Sequence, residues 1–259
     1  MESGQVGSLK GRRALVTGGT SGIGLGIAEA MLHQGMRVVI TGRDKIRGKS
    51  AAVRLRSLGD AWFVQADAED EMAIGASVTE TVELLGGIDA LVNNASVALV
   101  APLLSTPVAE FDRLLRVNLR AALCYIQAAH PYLAERRGGI VNVGSDAGLR
   151  GEQAIGAYSV SKAGLVMMSR LLALDLAAEG IRCNCVCPGA TLPGMRHIGP
   201  VGDTDAGDDP TQWVPPPLGR FGRAGDVAAA VLFFLGDESS FCSGTELRLD
   251  GGLQAGVVQ

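Results

Sequence analysis

The sequence predicts an α/β fold in which a parallel sheet of about seven strands is covered by helices on both faces. Three observations carry that expectation. Short apolar runs alternate strictly with longer helical stretches along nearly the whole chain, the order produced when crossover helices join parallel strands. The runs are apolar at successive residues rather than alternate ones, as in strands buried on both faces. The first run also stops at a glycine cluster that opens the first helical stretch.

Taken in order, Arg13 to Thr17 is the first strand and Ile23 to Gln34 the first helix, with Gly35 placed to end it. Arg37 to Thr41 is the second strand, followed by a charged helix over 44–58. A strand over Ala61 to Ala66 leads to a helix over Asp70 to Leu85 and a fourth strand over Ile88 to Val92. Pro107 to Ala134 reads as one long helix, with Thr106 as N-cap and Pro107 at its first position. Ile140 to Val143 is the fifth strand, Ala157 to Glu179 a helix and Ile181 to Cys187 the sixth strand. The stretch 191–219 breaks the rhythm with six prolines and four aspartates, and reads as a substrate-binding loop or lid. A helix over 224–235 and a strand over Thr245 to Leu249 close the fold. No linker or internal repeat divides the chain, so residues 1–259 are expected to form one domain.

Composition narrows the function. Hydrophobic residues make up 47%, enough for a sizeable core. A net charge of −4 without any basic run argues against nucleic acid as partner. No apolar stretch suits a signal peptide or a membrane span, so a cytoplasmic protein is expected. Cys183, Cys185 and Cys187 share one strand face, but lack the paired turn spacing of a metal site and are read as small packing residues. No metal is expected.

Two sites of chemistry stand out. Between the first strand and first helix lies Gly18-Gly19-Thr20-Ser21-Gly22-Ile23-Gly24. Glycines there allow a tight turn and close backbone approach, and the helix N-terminus offers free N–H groups to a pyrophosphate. The second strand ends at Thr41-Gly42-Arg43, where a guanidinium suits a ribose 2′-phosphate better than a 2′-hydroxyl. NADP(H) is therefore favoured, with NAD(H) as the alternative. Further along, Tyr158 and Lys162 stand four apart on a helix, so phenol and ammonium share a face. A nearby cation favours the phenolate and brings tyrosine toward useful acid–base strength. Ser145, at the end of the fifth strand, supplies a hydroxyl for the same carbonyl oxygen.

With these motifs in order, the chain resembles the short-chain dehydrogenase/reductase family from Arg13 to Gly252, and the resemblance implies a Rossmann-type fold. Asp67 matches the aspartate that contacts adenine, with Ala68 beside it, and Asn93-Asn94-Ala95 matches the motif that stabilises the sheet beside the cofactor. Asn118 matches the fourth catalytic residue, alongside Ser145, Tyr158 and Lys162. Pro188-Gly189 matches the turn beside the nicotinamide, and Asp250-Gly251-Gly252 the C-terminal signature. The resemblance implies that Tyr158 is the general acid in carbonyl reduction and the base in alcohol oxidation. Lys162 would lower its pKa and bind the nicotinamide ribose, Ser145 would polarise the substrate oxygen, and the Asn118 backbone would hold a relay water. Three positions depart from the pattern: Ser96 replaces a glycine, Ser21 replaces a basic residue common in NADP users, and Pro193 replaces a threonine, leaving Thr191 to contact the carboxamide.

The substrate is expected against Ser96, Ala147, Arg150, Gln153, Met195 and Trp213, with Leu149 and Glu152 nearby. A small ketone or secondary alcohol fits these residues, and so does a 3-oxoacyl group on an acidic carrier protein, for which Arg116, Arg120, Arg136 and Arg137 would form the docking patch. A non-catalytic NAD(P)-binding sensor is the remaining alternative, though such relatives usually lack the tyrosine or lysine. Enoyl reductases of the family space that pair more widely. The resemblance further implies a homotetramer or homodimer built on the two long helices. The stripe Leu165, Met168, Leu172, Leu176 suits either that interface or the core.

Overall fold

A computed structural model describes residues 9–192 and 215–256. Its elements run β1 (Arg13–Val16), α1 (Gly22–His33), β2 (Arg37–Gly42), α2 (Lys45–Arg56), β3 (Ala61–Gln65), α3 (Glu71–Leu85) and β4 (Ala90–Asn93). They continue through α4 (Val108–Leu115), α5 (Ala121–Arg136), β5 (Gly139–Val143), α6 (Gly156–Asp175), β6 (Arg182–Pro188), β7 (Thr191–Leu192), β8 (Gly222–Arg223), α7 (Ala224–Leu235) and β9 (Glu246–Leu249). Seven of the strands form one parallel sheet in the order β3-β2-β1-β4-β5-β6-β9. The expected seven-stranded doubly wound sheet is what forms. Its strand order reverses between β1 and β4, and ligands of such sheets bind outside the carboxyl ends at that point.

Residue alternation divides the core. Ala14, Val16, Val38, Ile40 and Val141 face one side with α1 and α7. Leu15, Val39, Val64, Leu91 and Ile140 face the other with α3 and α5. Every residue named is buried, as strands covered on both faces require. On the first side α1 meets α7 closely: a Cβ on Gly26 would come within 2.5 Å of the Ala224 Cβ. Asp44 and Asp70 cap α2 and α3, each accepting from two backbone N–H groups of the first turn.

The long helix expected over Pro107 to Ala134 differs in two ways. Pro107 is its N-cap and Val108 its first residue, while the Thr106 hydroxyl donates to Pro102 O instead of capping. Its middle, Arg116–Arg120, is a π turn in which the Ala121 N–H bonds Arg116 O, five residues back. On α6 the stripe Leu165, Met168, Leu172, Leu176 faces inward: Leu165 and Leu176 are buried, and Met168 and Leu172 pack on the second core. A different stripe, Val160, Met167, Leu171 and Leu174, is exposed. Among the described residues no helix is long and apolar enough to cross a membrane.

Candidate active site

At the carboxyl end of β1 the chain turns through Gly18 to Gly24. Gly22 adopts φ +55° with open space where a side chain would stand, whereas a Cβ on Gly18 would meet Ala95 Cα at 2.8 Å. Gly24 packs against Gly18 O and the Asn94 amide. Ser21 is the α1 N-cap but makes no side-chain capping bond, and no acidic residue occupies the first turn. Ile23 packs on the core behind it. The Thr20 side chain lies against β2, where a Cβ on Gly42 would approach Thr20 Cγ2 at 2.7 Å. This cradle of bare backbone and an uncapped helix end fits a pyrophosphate. Arg43 follows Gly42, and its carbonyl accepts from Gln65 Nε2. Asp67, past the end of β3, accepts from the Glu69 N–H, and Ala68 packs half-buried behind it.

Asn94 ties β4 to the glycine turn. Its Nδ2 donates to Thr17 O and Gly18 O at 3.0 and 3.2 Å, while the N–H groups of Asn94 and Ala95 both donate to Thr17 Oγ1. Next to it Asn93 Nδ2 donates to Asn142 Oδ1 at 2.9 Å, and Asn142 Nδ2 to Ser169 Oγ at 2.8 Å. These bonds run from β4 through β5 into α6. Ser96 takes ordinary backbone geometry without positive φ, so the glycine it replaces is not needed for conformation. Its Oγ is buried without a hydrogen-bond partner among the described residues.

Asn118 lies inside the π turn, 1% exposed, and pairs with the backbone of Val97 in both directions. Oδ1 accepts from Val97 N and Nδ2 donates to Val97 O, each at 2.9 Å. Nδ2 also donates to Ser161 Oγ on α6 at 3.0 Å. The Asn118 side chain thereby fixes the segment after β4 against α6, three residues from Tyr158.

Ser145, Tyr158 and Lys162 converge and are all buried. Ser145 stands two residues past the end of β5 and caps the short turn Asp146–Gly148, accepting from Ala147 N at 3.2 Å. That turn sits on α6 because Gly148 has no side chain: a Cβ would meet the Lys162 backbone at 2.8 Å. Lys162 Nζ donates to Val143 O at 2.9 Å and lies 5.7 Å from the Tyr158 ring centroid. Burial pushes the Lys162 pKa down to about 8. Tyr158 hydrogen-bonds Ser145, yet burial raises its phenol above the usual tyrosine value, helped by the charges of Asp146 and Glu152. Among the protein groups, desolvation outweighs the lowering by the Ser145 hydrogen bond.

Behind this centre, Cys185 and Cys187 of β6 lie with sulfurs 3.7 Å apart, and a Cβ on Gly144 would meet them at 2.8 and 3.1 Å. The Cys185 hydrogen bond and burial push the Cys187 thiol up. Cys183 packs in the second core. Among the described residues no cluster could hold a metal ion. Beyond β6, Gly189 packs on Asp250, and the Thr191 hydroxyl donates to Gly189 O at 2.9 Å.

Of the expected substrate residues, Ala147 is buried beside Tyr158 in a cluster with Val97, Ala98, Leu99 and Leu114. Gln153 and Arg150 are exposed, and Arg150 pairs with Glu152 at 3.3 Å and Asp146 at 3.6 Å. Met195, Trp213 and Pro193 lie outside the described residues. The geometry also brings in residues that motif reading missed: Ser161, Asn142 and, closest to the chemistry, Asp146. Asp146 and Ser161 adjoin the motif residues Ser145 and Lys162, which was the only available signal.

A doubly wound sheet with a bare glycine turn at its switch point and a buried Ser–Tyr–Lys group defines a dinucleotide-dependent oxidoreductase. Residues 18–254 match the family model described as Enoyl-(Acyl carrier protein) reductase. The chain belongs to the short-chain dehydrogenase/reductase family. It is 35% identical to 2-(S)-hydroxypropyl-CoM dehydrogenase 3 of Xanthobacter autotrophicus, covering 95% of this chain and 98% of that one. It is 37% identical to the rhamnolipids biosynthesis 3-oxoacyl-[acyl-carrier-protein] reductase of Pseudomonas aeruginosa (95% and 97% covered). Identity to the NADP-dependent (R)-specific alcohol dehydrogenase of Lentilactobacillus kefiri is 34% (95% and 98% covered). The crystal structure of a dehydrogenase/reductase from Sinorhizobium meliloti 1021 superposes with a TM-score of 0.86 at 34% identity, covering 95% and 97%.

Proposed function

We propose that the chain interconverts a small ketone and a secondary alcohol, using NADP(H) in preference to NAD(H), with Tyr158 as acid and base. The observation that carries this reading is the buried convergence of Ser145, Tyr158 and Lys162 at the carboxyl end of β5, two strands from the glycine turn. When bound, the nicotinamide supplies or accepts the hydride. Gly18 to Gly24 would hold its pyrophosphate, Asp67 and Ala68 its adenine, and Arg43 a 2′-phosphate. Asn94, Ala95, Pro188, Gly189 and Thr191 would flank the nicotinamide half.

In reduction, the Tyr158 O–H donates its proton to the substrate oxygen as that oxygen gains charge, while Ser145 holds it by a hydrogen bond. In oxidation the same phenol oxygen receives the proton. Lys162 stabilises the phenolate then left, and Nζ hands protons onward from a buried position. A value near 8 lets it do so close to neutral pH. The apolar wall of Val97, Leu99 and Ala147 keeps water from the reacting carbon.

A second reading, reduction of a 3-oxoacyl group on a carrier protein, is supported by the Pseudomonas aeruginosa relative. Arg136 and Arg137 count against it, because they precede the start of β5 while Ser145 follows its end. Arg116 is engaged with Glu69 at 3.5 Å. The exposed stripe Val160, Met167, Leu171, Leu174 supports assembly as a homotetramer or homodimer through α6.

The test is a panel of ketones and alcohols with NADPH and NADH, followed at the nicotinamide absorbance band. Tyr158→Phe should lower turnover by at least about 100-fold. Turnover within a few-fold of wild type means that the tyrosine is not the acid. A chain that binds neither cofactor at millimolar concentration is not this enzyme.

A further inference from the structure

Asp146 has no part in the reading above, yet it is the charged group in closest contact with its centre. Its side chain is 9% exposed, held on several sides. Its carbonyl accepts from Gln254 Nε2 at 3.0 Å, and Oδ2 faces Gly189, where a Cβ would lie 3.4 Å away. Arg150 reaches Oδ2 only at 3.6 Å. Oδ1 accepts the Ser145 hydroxyl hydrogen at 3.3 Å.

That bond has a directional consequence. A serine hydroxyl has one hydrogen to give. If the Ser145 hydrogen points to Asp146, Ser145 Oγ meets Tyr158 as an acceptor, and Tyr158 must be the donor in their shared bond. Ala147 N–H, on the other side of Ser145 Oγ, also donates to it and so leaves this direction unchanged. The chain therefore runs from phenol to serine to carboxylate.

We propose that Asp146 is a positioning residue of this site: its carboxylate takes the Ser145 hydrogen and thereby holds Tyr158 in its protonated, acid form. The proposal rests on Tyr158 being the acid–base group, as above. The groups facing Tyr158 are Asp146 and Glu152 from the segment before α6, Lys162 from α6 and Cys187 from β6, and Arg150 ties the two carboxylates together. Asp146 and Glu152 both oppose loss of the phenol proton, and burial of the ring does so more strongly. Reduction, which begins with the phenol protonated, then proceeds across neutral pH. Oxidation, which needs the phenolate, is confined to more alkaline conditions. In reduction the phenolic O–H bond breaks as the substrate O–H bond forms, and Ser145 turns its hydrogen from Asp146 to the substrate oxygen.

The experiment is a phenolate absorbance titration of the full chain with saturating NADP+, taking the difference between each protein and its Tyr158→Phe counterpart. Asp146→Asn removes the charge and Asp146→Ala also removes the acceptor; either should bring the Tyr158 midpoint down by about one pH unit. Glu152→Gln, at an exposed side chain, should move it less. Midpoints that stay or rise in both Asp146 variants overturn the proposal, as does the absence of any Tyr158 phenolate in them up to about pH 11. A Glu152→Gln shift as large as that of Asp146→Ala assigns the effect to general field and also overturns it. If NADP+ does not bind at all, the enzyme reading itself fails; if it binds and the midpoint is unmoved, only the role of Asp146 fails.

Discussion

Replacing Lys162 with methionine should abolish turnover and make the protein more stable near neutral pH. Lys162 is 2% exposed, and its ammonium donates a hydrogen bond to Val143 O at 2.9 Å. Burial lowers its pKa from 10.5 to about 8, and that fall corresponds to roughly 3 kcal/mol of destabilisation carried by the charged form. Losing the bond to Val143 costs about 1 kcal/mol, so Lys162→Met should gain about 2 kcal/mol at pH 7. The folded pKa lies below the unfolded one, so from about pH 8 to 10.5 the unfolded chain binds more protons and wild-type stability rises with pH. The penalty is full below that window and gone above it. Urea unfolding of both proteins without cofactor, at pH 7 and near 10.5, checks this. The variant should be the more stable one at pH 7 and lose its advantage at the alkaline end. A variant less stable at pH 7, or a difference equal at both values, refutes the assignment of a strained, buried ammonium. Such an inverse relation between stability and activity is common at active sites.

Three other outcomes are expected. Asn118→Ala leaves Val97 N and O buried without partners, which should cost about 3 kcal/mol in denaturant unfolding. Ala154 holds φ 65° just before α6, so Ala154→Gly should stabilise by about 1 kcal/mol, read as a rise in Tm. Arg43→Ala should raise the KM for NADPH by roughly 10- to 100-fold and leave that for NADH within a few-fold; equal effects on both would remove Arg43 from 2′-phosphate recognition.

The sheet was legible because each strand, buried on both faces, had to be written as an apolar run, from Ala14-Leu15-Val16 to Cys185-Val186-Cys187. Motif spacing led to Ser145, Tyr158 and Lys162, which the fold brings together. The π turn was not legible. A single extra residue shifts the helical phase once but leaves the 3.6-residue period intact on either side, so Pro107 to Ala134 read as continuous. The stripe on α6 was ambiguous for a related reason: apolar residues cover two faces of that helix, and only the position of the sheet decides which is inside. Asp146 was illegible in a stronger sense. Its burial depends on Gly189 and Gln254, distant in the chain, and no local pattern marks a carboxylate that will be enclosed.

The small pairing of β7 with β8 has a consequence for how such a protein can diversify. Thr191–Leu192 and Gly222–Arg223 are joined in register, Thr191 to Gly222 and Leu192 to Arg223, so both ends of the intervening stretch are fastened to each other. Once the ends of a chain segment are fixed together, doubling its length costs only about 0.6 kcal/mol in closure entropy. Thr191 is also bonded to Gly189, and Gly222 to the Ala190 carbonyl, so the fastening is anchored to the strand that ends beside the catalytic turn. Length and composition between these anchors can then change under selection for a new substrate without disturbing the proton-transfer group or the glycine turn. On the proposed reading, proton transfer stays with β5 and α6, and substrate preference is free to vary between the two anchors.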